Sequence, residues 1–425
     1  MRHLINKIIF TSGAKIFSVL LGIITLSITA RWLGPEGRGI IATVSTWVQI
    51  FIDVTALSLG SVLIFKATNN KDEGWLASIM GALVKHTFYV SVISWVIVVI
   101  IYFGGQLSYW PNLFNKIPAM ALFIGFIALP FGLWDRYSES LLNIEDRLSV
   151  YNKFQIISSS ANAFSVVILV IASGFGVFGV LISKVLQQFL VAFGGVKNLL
   201  NKSSTKINYQ TAVYKDLLLH GVKMHLGTIG AIMTLSIDIV MVNIYLGNHQ
   251  TGIYQLAVQM SQLMLIVSYA AATVLEGELT RKGVREIWSY QKKFLALTVI
   301  FIILASLIMG STAKWWLIWL AGNEFKEAII IFQLLLITIV VNTITAIMSI
   351  QWIGRGWFLG YSLITLAKGV LNIVLNALLI PEYGILGAVY ATIGIVMLSL
   401  FINLAMFIYC ELDVRKHNKK TLTSS

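Results

Sequence analysis

Long apolar segments follow one another along almost the whole chain, and this pattern constrains the fold more than any other feature. Runs such as SVISWVIVVIIYF at 91–103 are apolar on every face, unlike the alternating strands of a β-barrel. About 20 such residues cross a bilayer core of roughly 30 Å as a helix. Charged residues make up only 12% of the chain, which excludes a soluble domain. The sequence therefore predicts an all-α integral membrane protein.

Twelve transmembrane helices are predicted, and an even number places both termini on the same side of the membrane. Positively charged residues are retained in the cytoplasm. Most of the 31 Lys and Arg residues fall at the termini and in the even-numbered connections. We therefore expect cytoplasmic N and C termini. The predicted spans lie near 8–30, 39–65, 76–102, 117–143, 148–172, 175–198, 217–246, 250–275, 288–312, 327–353, 357–380 and 384–410.

Several function classes are excluded or disfavoured. Cys410 is the only cysteine, so an intramolecular disulfide and a cysteine-based metal site are both ruled out. No stretch matches the phosphate-binding motif GxxxxGK[ST], so we expect no nucleotide cofactor and no metal. Energy for transport then comes from a gradient of H⁺ or Na⁺, or from a partner. The net charge of +13 indicates contact with anionic inner-leaflet lipid rather than with nucleic acid, since no soluble basic domain is present.

Two short motifs recur at similar offsets. Leu33-Gly34 matches Leu246-Gly247 at an offset of 213, and Gly39 then matches Gly252. A second pair, GVFG at 176–179 and GILG at 384–387, recurs at an offset of 208. Each pair occupies the same place in a six-helix half, although glycines that merely mark tight turns would explain either match alone.

The recurrence predicts two pseudo-symmetric six-helix halves with the substrate between them, as in many transporters. We expect an N-terminal half at 1–200, a basic cytoplasmic linker at 201–216, a C-terminal half at 217–411 and a basic tail at 412–425.

Three segments carry a family resemblance: ARWLGPEGRG (30–39), SIDIVMVNIYLGNHQTGIYQLA (236–257) and IPEYGILGAVYATI (380–393). They resemble the bacterial polysaccharide flippases of O-antigen type, within the multidrug/oligosaccharidyl-lipid/polysaccharide exporter superfamily. The resemblance implies a non-enzymatic protein that moves undecaprenyl-diphosphate-linked oligosaccharide from the cytoplasmic to the periplasmic leaflet. It also implies a monomer that works beside the polysaccharide polymerase and the chain-length machinery.

Ionisable residues inside spans are costly to insert and indicate function. Five lysines fall within predicted spans, and with Arg31 they form a candidate cationic cavity for the substrate diphosphate. The alternative is snorkelling, in which the lysine stem follows lipid and the ammonium reaches the headgroups. The five lysines are Lys15, Lys85, Lys184, Lys223 and Lys368.

Two intramembrane acids, Asp53 and Asp238, are candidates for binding the coupling ion or for pairing with a buried lysine. A structural ion pair is the alternative for each. Near the inner end of the fourth span, Asp135, Arg136 and Glu139 indicate a salt-bridge network, with gating as a second interpretation.

Three rival functions stay open at this level. A multidrug or cation antiporter of the same superfamily would place acids in its cavity, whereas lysines outnumber acids here. A polysaccharide polymerase or ligase would carry a large outer loop, which this chain lacks. A flippase for a lipid-linked peptidoglycan precursor differs mainly in its substrate.

Overall fold

The computed structural model describes residues 2–69, 74–109, 113–114, 116–202 and 207–423. In these ranges the chain is almost entirely helical, with short turns and connections and no β-strand. A π-helical turn (Val167–Ala172) extends α6, and a 3-10 turn (Asn323–Phe325) precedes α13. The α-helices are α1 (Arg2–Thr55), α2 (Leu59–Asn69), α3 (Trp75–Gln106), α4 (Ala119–Ile127), α5 (Leu129–Ile144), α6 (Leu148–Val166), α7 (Gly176–Lys202), α8 (Thr211–Leu235), α9 (Ile237–Leu246), α10 (Asn248–Leu263), α11 (Leu265–Lys282), α12 (Trp288–Ala321), α13 (Glu327–Gly354), α14 (Phe358–Tyr383) and α15 (Ile385–Thr423).

Eleven helical segments in the described ranges are long and apolar enough to cross a membrane. The first, Gly13–Ala67, has 55 residues, which at 1.5 Å per residue is roughly 80 Å and far exceeds one bilayer. Its helix is broken at Gly34, where φ is 61° and ψ is −173°. Arg38 donates from Nη1 to Thr29 Oγ1 at 3.1 Å across this break. Two crossings therefore share the first segment, and the predicted fold of about twelve transmembrane helices is confirmed.

Several predicted spans consist of two helices with a short interruption. The fourth span is interrupted at Ala128, between α4 and α5, two residues before Pro130. Proline lacks a backbone N–H, and its ring displaces the preceding turn, which explains a break at this place. The seventh span is interrupted at Ser236, between α8 and α9, and the eighth at Met264, between α10 and α11.

The chain divides into two compact units. Unit 1 comprises Met1–Ile232 and Leu246–Gly252, and unit 2 comprises Met233–Tyr245 and Ile253–Ser425. The division falls inside α8, not in the connection at 201–216, so the six-helix halves at 1–200 and 217–411 stay a prediction.

Each unit has its own apolar core. In unit 1, α1 packs on α6 and α7, and α5 packs on α7. Large side chains such as Phe126 and Tyr137 are fully buried there. In unit 2, α13 packs on α11, α12 and α15. Trp288, Met348 and Cys410 form part of a buried cluster in this unit.

The glycines that the sequence repeat aligned also share a backbone conformation. Gly34 and Gly247 have φ of 61° and 83°, and Gly176 and Gly384 have φ of 55° and 60°. All four lie at a turn between helices, where a residue without a Cβ tolerates positive φ. The two repeated motifs therefore mark equivalent local turns in the structure.

Candidate functional site

The deeper lysines of the predicted cationic site contact neutral groups. Lys184, on α7, donates from Nζ to the Ser45 hydroxyl on α1 at 2.7 Å. Lys368, on α14, donates to the Ser399 hydroxyl on α15 at 3.1 Å. Both side chains are half-buried, and neither has an ion-pair partner in the part of the chain that the structure describes. Their positive charges are therefore uncompensated by a carboxylate.

Lys85 lies among tyrosine rings instead. Its Nζ is 3.7 Å from the centre of the Tyr209 ring and 5.6 Å from that of Tyr89. A cation over an aromatic face is attracted by the electron-rich ring. The hydrogen bond that the Lys85 ammonium offers lowers the pKa of the Tyr209 hydroxyl below its usual value. Tyr209 belongs to the short connection before α8, so Lys85 ties that connection to α3.

The remaining residues of the predicted cationic site, Lys15, Lys223 and Arg31, have exposed side chains. Their positions agree with the snorkelling alternative for the two lysines, since a long stem along an outer surface lets the ammonium reach polar surroundings.

Arg38 is a buried cation that was not among the predicted site residues. Its residue surface is only 7% exposed. It lies close enough to Lys184 for the two positive charges to interact. A signal for this burial was present, because Gly34-Pro35 is a typical helix start and places Arg38 inside the following helix. Two cations within one region of unit 1 favour an anionic ligand.

Asp53 forms an ion pair with Arg136, and Gln49 donates from Nε2 to the same carboxylate at 2.9 Å. All three residues belong to unit 1. Of the two predicted roles for Asp53, charge pairing is the one that this geometry displays, although the partner is an arginine rather than a lysine.

Asp238, on α9, is the centre of a buried polar cluster in unit 2. Its carboxylate accepts hydrogen bonds from Asn372 at 2.6 Å, Asn376 at 2.8 Å, Thr392 at 2.9 Å and Tyr254 at 3.3 Å. The residue is only 6% exposed. No Lys, Arg or His pairs with it in the described ranges, so its negative charge is stabilised by neutral donors alone.

This cluster can hold a small cation. Its groups are one carboxylate, two amides and two hydroxyls, and oxygen donors of this kind suit H⁺ or Na⁺ better than a soft metal. The side-chain oxygen of Asn376 is buried without a hydrogen-bond partner. A rotation of either amide would present its oxygen where its nitrogen now donates.

Sequence reasoning found Asp238 but missed its partners. Asn372 and Asn376 lie one turn apart on α14, on the same face of this largely apolar helix. That spacing of two amides was the available signal. Thr392 and Tyr254 lie on other helices, and nothing in their local sequence distinguishes them.

Comparisons with known proteins agree with this architecture. The model of a family described as "Polysaccharide biosynthesis protein" matches residues 4–275. The solved structure of "Lipid II flippase MurJ, inward closed conformation" matches with a TM-score of 0.73 at 16% identity, over 96% of this chain and 90% of that one. No curated protein matches the sequence.

Two further solved structures share the fold. An inward-facing multidrug resistance MATE family transporter of the MOP superfamily matches with a TM-score of 0.67 at 15% identity, over 94% of this chain and 96% of that one. A MOP superfamily transporter from Pyrococcus furiosus matches with a TM-score of 0.59 at 15% identity, over 96% and 95%. At these identities the likeness establishes a fold that transporters and flippases use.

Proposed function

Since this chain belongs to the polysaccharide biosynthesis protein family, we propose that it flips an undecaprenyl-diphosphate-linked oligosaccharide, of O-antigen or a related surface polysaccharide, across the bacterial inner membrane. Movement runs from the cytoplasmic to the periplasmic leaflet by alternating access, with both termini in the cytoplasm. The twelve-crossing transporter fold supports this proposal. The protein acts as a monomer beside the polymerase and the chain-length machinery.

One observation carries the choice of an anionic substrate. Lys184 and Lys368 donate to serine hydroxyls and have no carboxylate partner in the described part of the chain. A lysine without a counter-ion in a membrane-spanning helix is costly unless a ligand neutralises it. A diphosphate supplies that charge, and the ammonium binds it without a fixed geometry.

The coupling ion binds at Asp238 in this proposal. The cluster around Asp238 supplies a single negative charge, which matches one H⁺ or one Na⁺. Binding of the cation removes the cost of a buried charge, so the energy of the gradient is available to favour one conformation over another. Asp53 has no coupling role in this proposal, because its charge is already paired with that of Arg136.

A multidrug or cation antiporter is the second candidate, because a MATE family transporter shares the fold. An antiporter for cationic drugs requires acids at its substrate site. The charged groups without a carboxylate partner are Lys184 beside Ser45 and Lys368 beside Ser399, and both would repel a cationic drug. The unpaired lysines therefore favour the flippase over the antiporter.

The decisive experiment deletes the gene and asks which lipid-linked glycan accumulates, and on which leaflet. We expect complete lipid-linked repeat units on the cytoplasmic leaflet. Accumulation of unpolymerised units on the outer leaflet would support a polymerase instead. Unchanged surface glycan together with sensitivity to cationic drugs would support the antiporter.

Lysine substitutions in the full-length protein test the diphosphate site. Lys184→Ala and Lys368→Ala should each reduce surface polysaccharide by roughly tenfold, because a hydrogen bond to a charged group contributes about 1.5–3 kcal/mol. Lys184→Arg, which keeps the charge, is the matched control and should retain much of the activity. Protein abundance is measured by immunoblot. Normal glycan in Lys85→Ala, Lys184→Ala and Lys368→Ala alike would overturn the cationic site.

A further inference from the structure

Unit 1 contains a polar cavity of about 220 Å³ that the proposed diphosphate site does not use. Helices α1, α5, α6 and α7 surround it. One water molecule needs only about 10–15 Å³ of such space, so the cavity is far larger than a proton or a bare cation requires. The side chains that matter for its chemistry are Gln49, Asp135, Arg136, Glu139, Tyr151 and Gln188.

Part of this lining is already satisfied. Arg136 and Gln49 both donate to Asp53, so the charge of Arg136 is already neutralised by this carboxylate. Asp135 accepts the Tyr151 hydroxyl at 2.9 Å, and Gln155 donates to the same Oδ1 at 3.5 Å. These bonds hold the carboxylate of Asp135 in place through one oxygen only.

The buried Oε1 of Gln188 has no donor from the described residues. Oδ2 of Asp135 and the carboxylate of the exposed Glu139 accept no hydrogen bond from those residues either. Asp135 and Glu139 lie one turn apart on α5, so their acceptors are neighbours. Acceptors that lack a donor favour a ligand that brings several hydrogen-bond donors.

A sugar ring meets this requirement. Its hydroxyls both donate and accept, so they suit the open acceptors and also the N–H groups of Gln49, Gln188 and Arg136. A free anion would be repelled by Asp135 and Glu139, and an apolar drug would leave the acceptors unsatisfied. The same two carboxylates disfavour an acidic sugar.

The cavity also lies beside the proposed phosphate site. Gln188 follows Lys184 by one turn of α7, and Gln49 follows Ser45 by one turn of α1. Lys184 and Ser45 are joined by the 2.7 Å hydrogen bond. One helical turn is about 5.4 Å, which matches the short step from a phosphate to the sugar attached to it.

We propose that this cavity binds the sugar residue next to the diphosphate, and that it accepts neutral or amino sugars and rejects acidic ones. The proposal rests on the flippase function stated above. It adds to that function a binding site for the first sugar and the requirement that this sugar is not acidic. Gly132 lines the cavity beside Ile52, and a Cβ there would lie 2.3 Å from Cδ1 of Ile52.

The test measures binding to the purified full-length protein in nanodiscs, with three probes: farnesyl diphosphate, farnesyl-diphospho-N-acetylglucosamine and farnesyl-diphospho-glucuronic acid. The parent protein should bind the N-acetylglucosamine probe about tenfold more tightly than farnesyl diphosphate. Gln188→Leu and Glu139→Gln should each remove most of that difference and leave affinity for farnesyl diphosphate unchanged. The glucuronic acid probe should gain nothing over farnesyl diphosphate.

Gln187→Leu is the matched control, because Gln187 is the neighbouring residue on α7 and does not line the cavity. It should keep the full preference for the sugar probe. Lys184→Ala should weaken the binding of all three farnesyl probes equally. Size-exclusion profiles and Tm values show that each variant is folded.

Two results would overturn the sugar site. The first is an unchanged sugar preference in Gln188→Leu and Glu139→Gln while Lys184→Ala still loses diphosphate binding, which leaves the flippase function intact. The second is loss of Na⁺-dependent stabilisation in Glu139→Gln with unchanged sugar binding, which would assign the cavity to a cation. Failure of the parent to bind any probe would overturn the proposed function and this inference together.

Discussion

At the scale of single residues, Asp238 combines an isolated negative charge with complete burial. Asn372 and Asn376 hold one oxygen of its carboxylate, and Thr392 holds the other. Only neutral donors stabilise this charge, and the residue lies in a membrane-spanning helix. Binding of one cation therefore changes the local electrostatic energy strongly.

Asp238→Asn should remove the dependence of transport on an imposed gradient, because an amide neither binds a proton nor supplies the charge for Na⁺. We expect the gradient-driven rate to fall by at least about tenfold, as a loss of roughly 1.4 kcal/mol or more implies. The measurement is lipid flipping in proteoliposomes under an imposed Na⁺ or pH gradient.

The double variant Asp238→Asn with Asn376→Asp is the matched control. It keeps one carboxylate in the cluster, since the two side chains are joined by a 2.8 Å hydrogen bond. It should recover part of the gradient dependence. If Asp238→Asn alone stays fully gradient-driven, the ion does not bind at this cluster.

Residues of this kind were only partly predictable. Asp238 and the lysines lie within apolar runs, so the sequence predicted that these residues are inside the membrane. Their partners are far away along the chain: Asn372 lies 134 residues from Asp238, and Ser45 lies 139 from Lys184. Local periodicity carries no information about such pairs. It therefore could not predict whether Asp53 pairs with a lysine or with Arg136.

At the scale of elements, the two turns that the sequence repeat aligned are packed against each other. A Cβ on Gly39 would lie 1.8 Å from the backbone oxygen of Asn248, and one on Gly252 would lie 2.0 Å from that of Pro35. Asn248 also donates to Glu36 at 2.9 Å. The glycines at equivalent positions of the repeat therefore each provide the space that the other turn occupies.

Gly39→Ala should destabilise the protein, because the clash is with backbone and cannot be relieved by a rotamer change. Overpacking of this kind costs about 1–3 kcal/mol. The purified variant should therefore have a Tm several degrees lower. Gly22→Ala is the control, since nothing lies within 4 Å of a Cβ at Gly22. It should keep or slightly raise Tm through its better helix propensity. Equal Tm values for the two variants would contradict the packing argument.

A second interruption, after Thr55, was not predicted. Leu57 and Ser58 adopt positive φ of 49° and 52°, and α2 begins only at Leu59. His86 donates from Nε2 to the backbone oxygen of Thr55 at 2.8 Å. Neither residue with positive φ is a glycine, and Gly60 lies beyond them in the first turn of α2. A side chain from α3 stabilises the freed carbonyl, so the break depends on tertiary packing rather than on local propensity.

At the scale of the whole molecule, hydrophobicity alone was enough for the fold class, because every spanning helix needs its own apolar run. The division into compact units was not accessible in the same way. The boundary between the units falls inside α8, where the sequence pattern shows no interruption of the helix. Periodicity identifies helices, whereas the grouping of helices depends on which faces pack together.

The orientation of the molecule is the last prediction, and its physical basis is the uneven distribution of Lys and Arg between the two sets of connections. Cys410 is the only cysteine, so Cys410→Ser gives a cysteine-free background. Two exposed positions then report opposite sides: Lys416→Cys in the C-terminal part of α15, and Glu324→Cys in the 3-10 turn before α13.

A membrane-impermeant maleimide applied to intact spheroplasts should label Glu324→Cys at once and should label Lys416→Cys only after permeabilisation. The Cys410→Ser parent should stay unlabelled in both conditions. The opposite pattern would place the termini outside, and the proposed direction of flipping would then have to be reversed. Labelling of both sites in intact spheroplasts would mean an even number of crossings between them, so one of α13, α14 and α15 would not cross the membrane. The maleimide result therefore tests the helix count as well as the orientation.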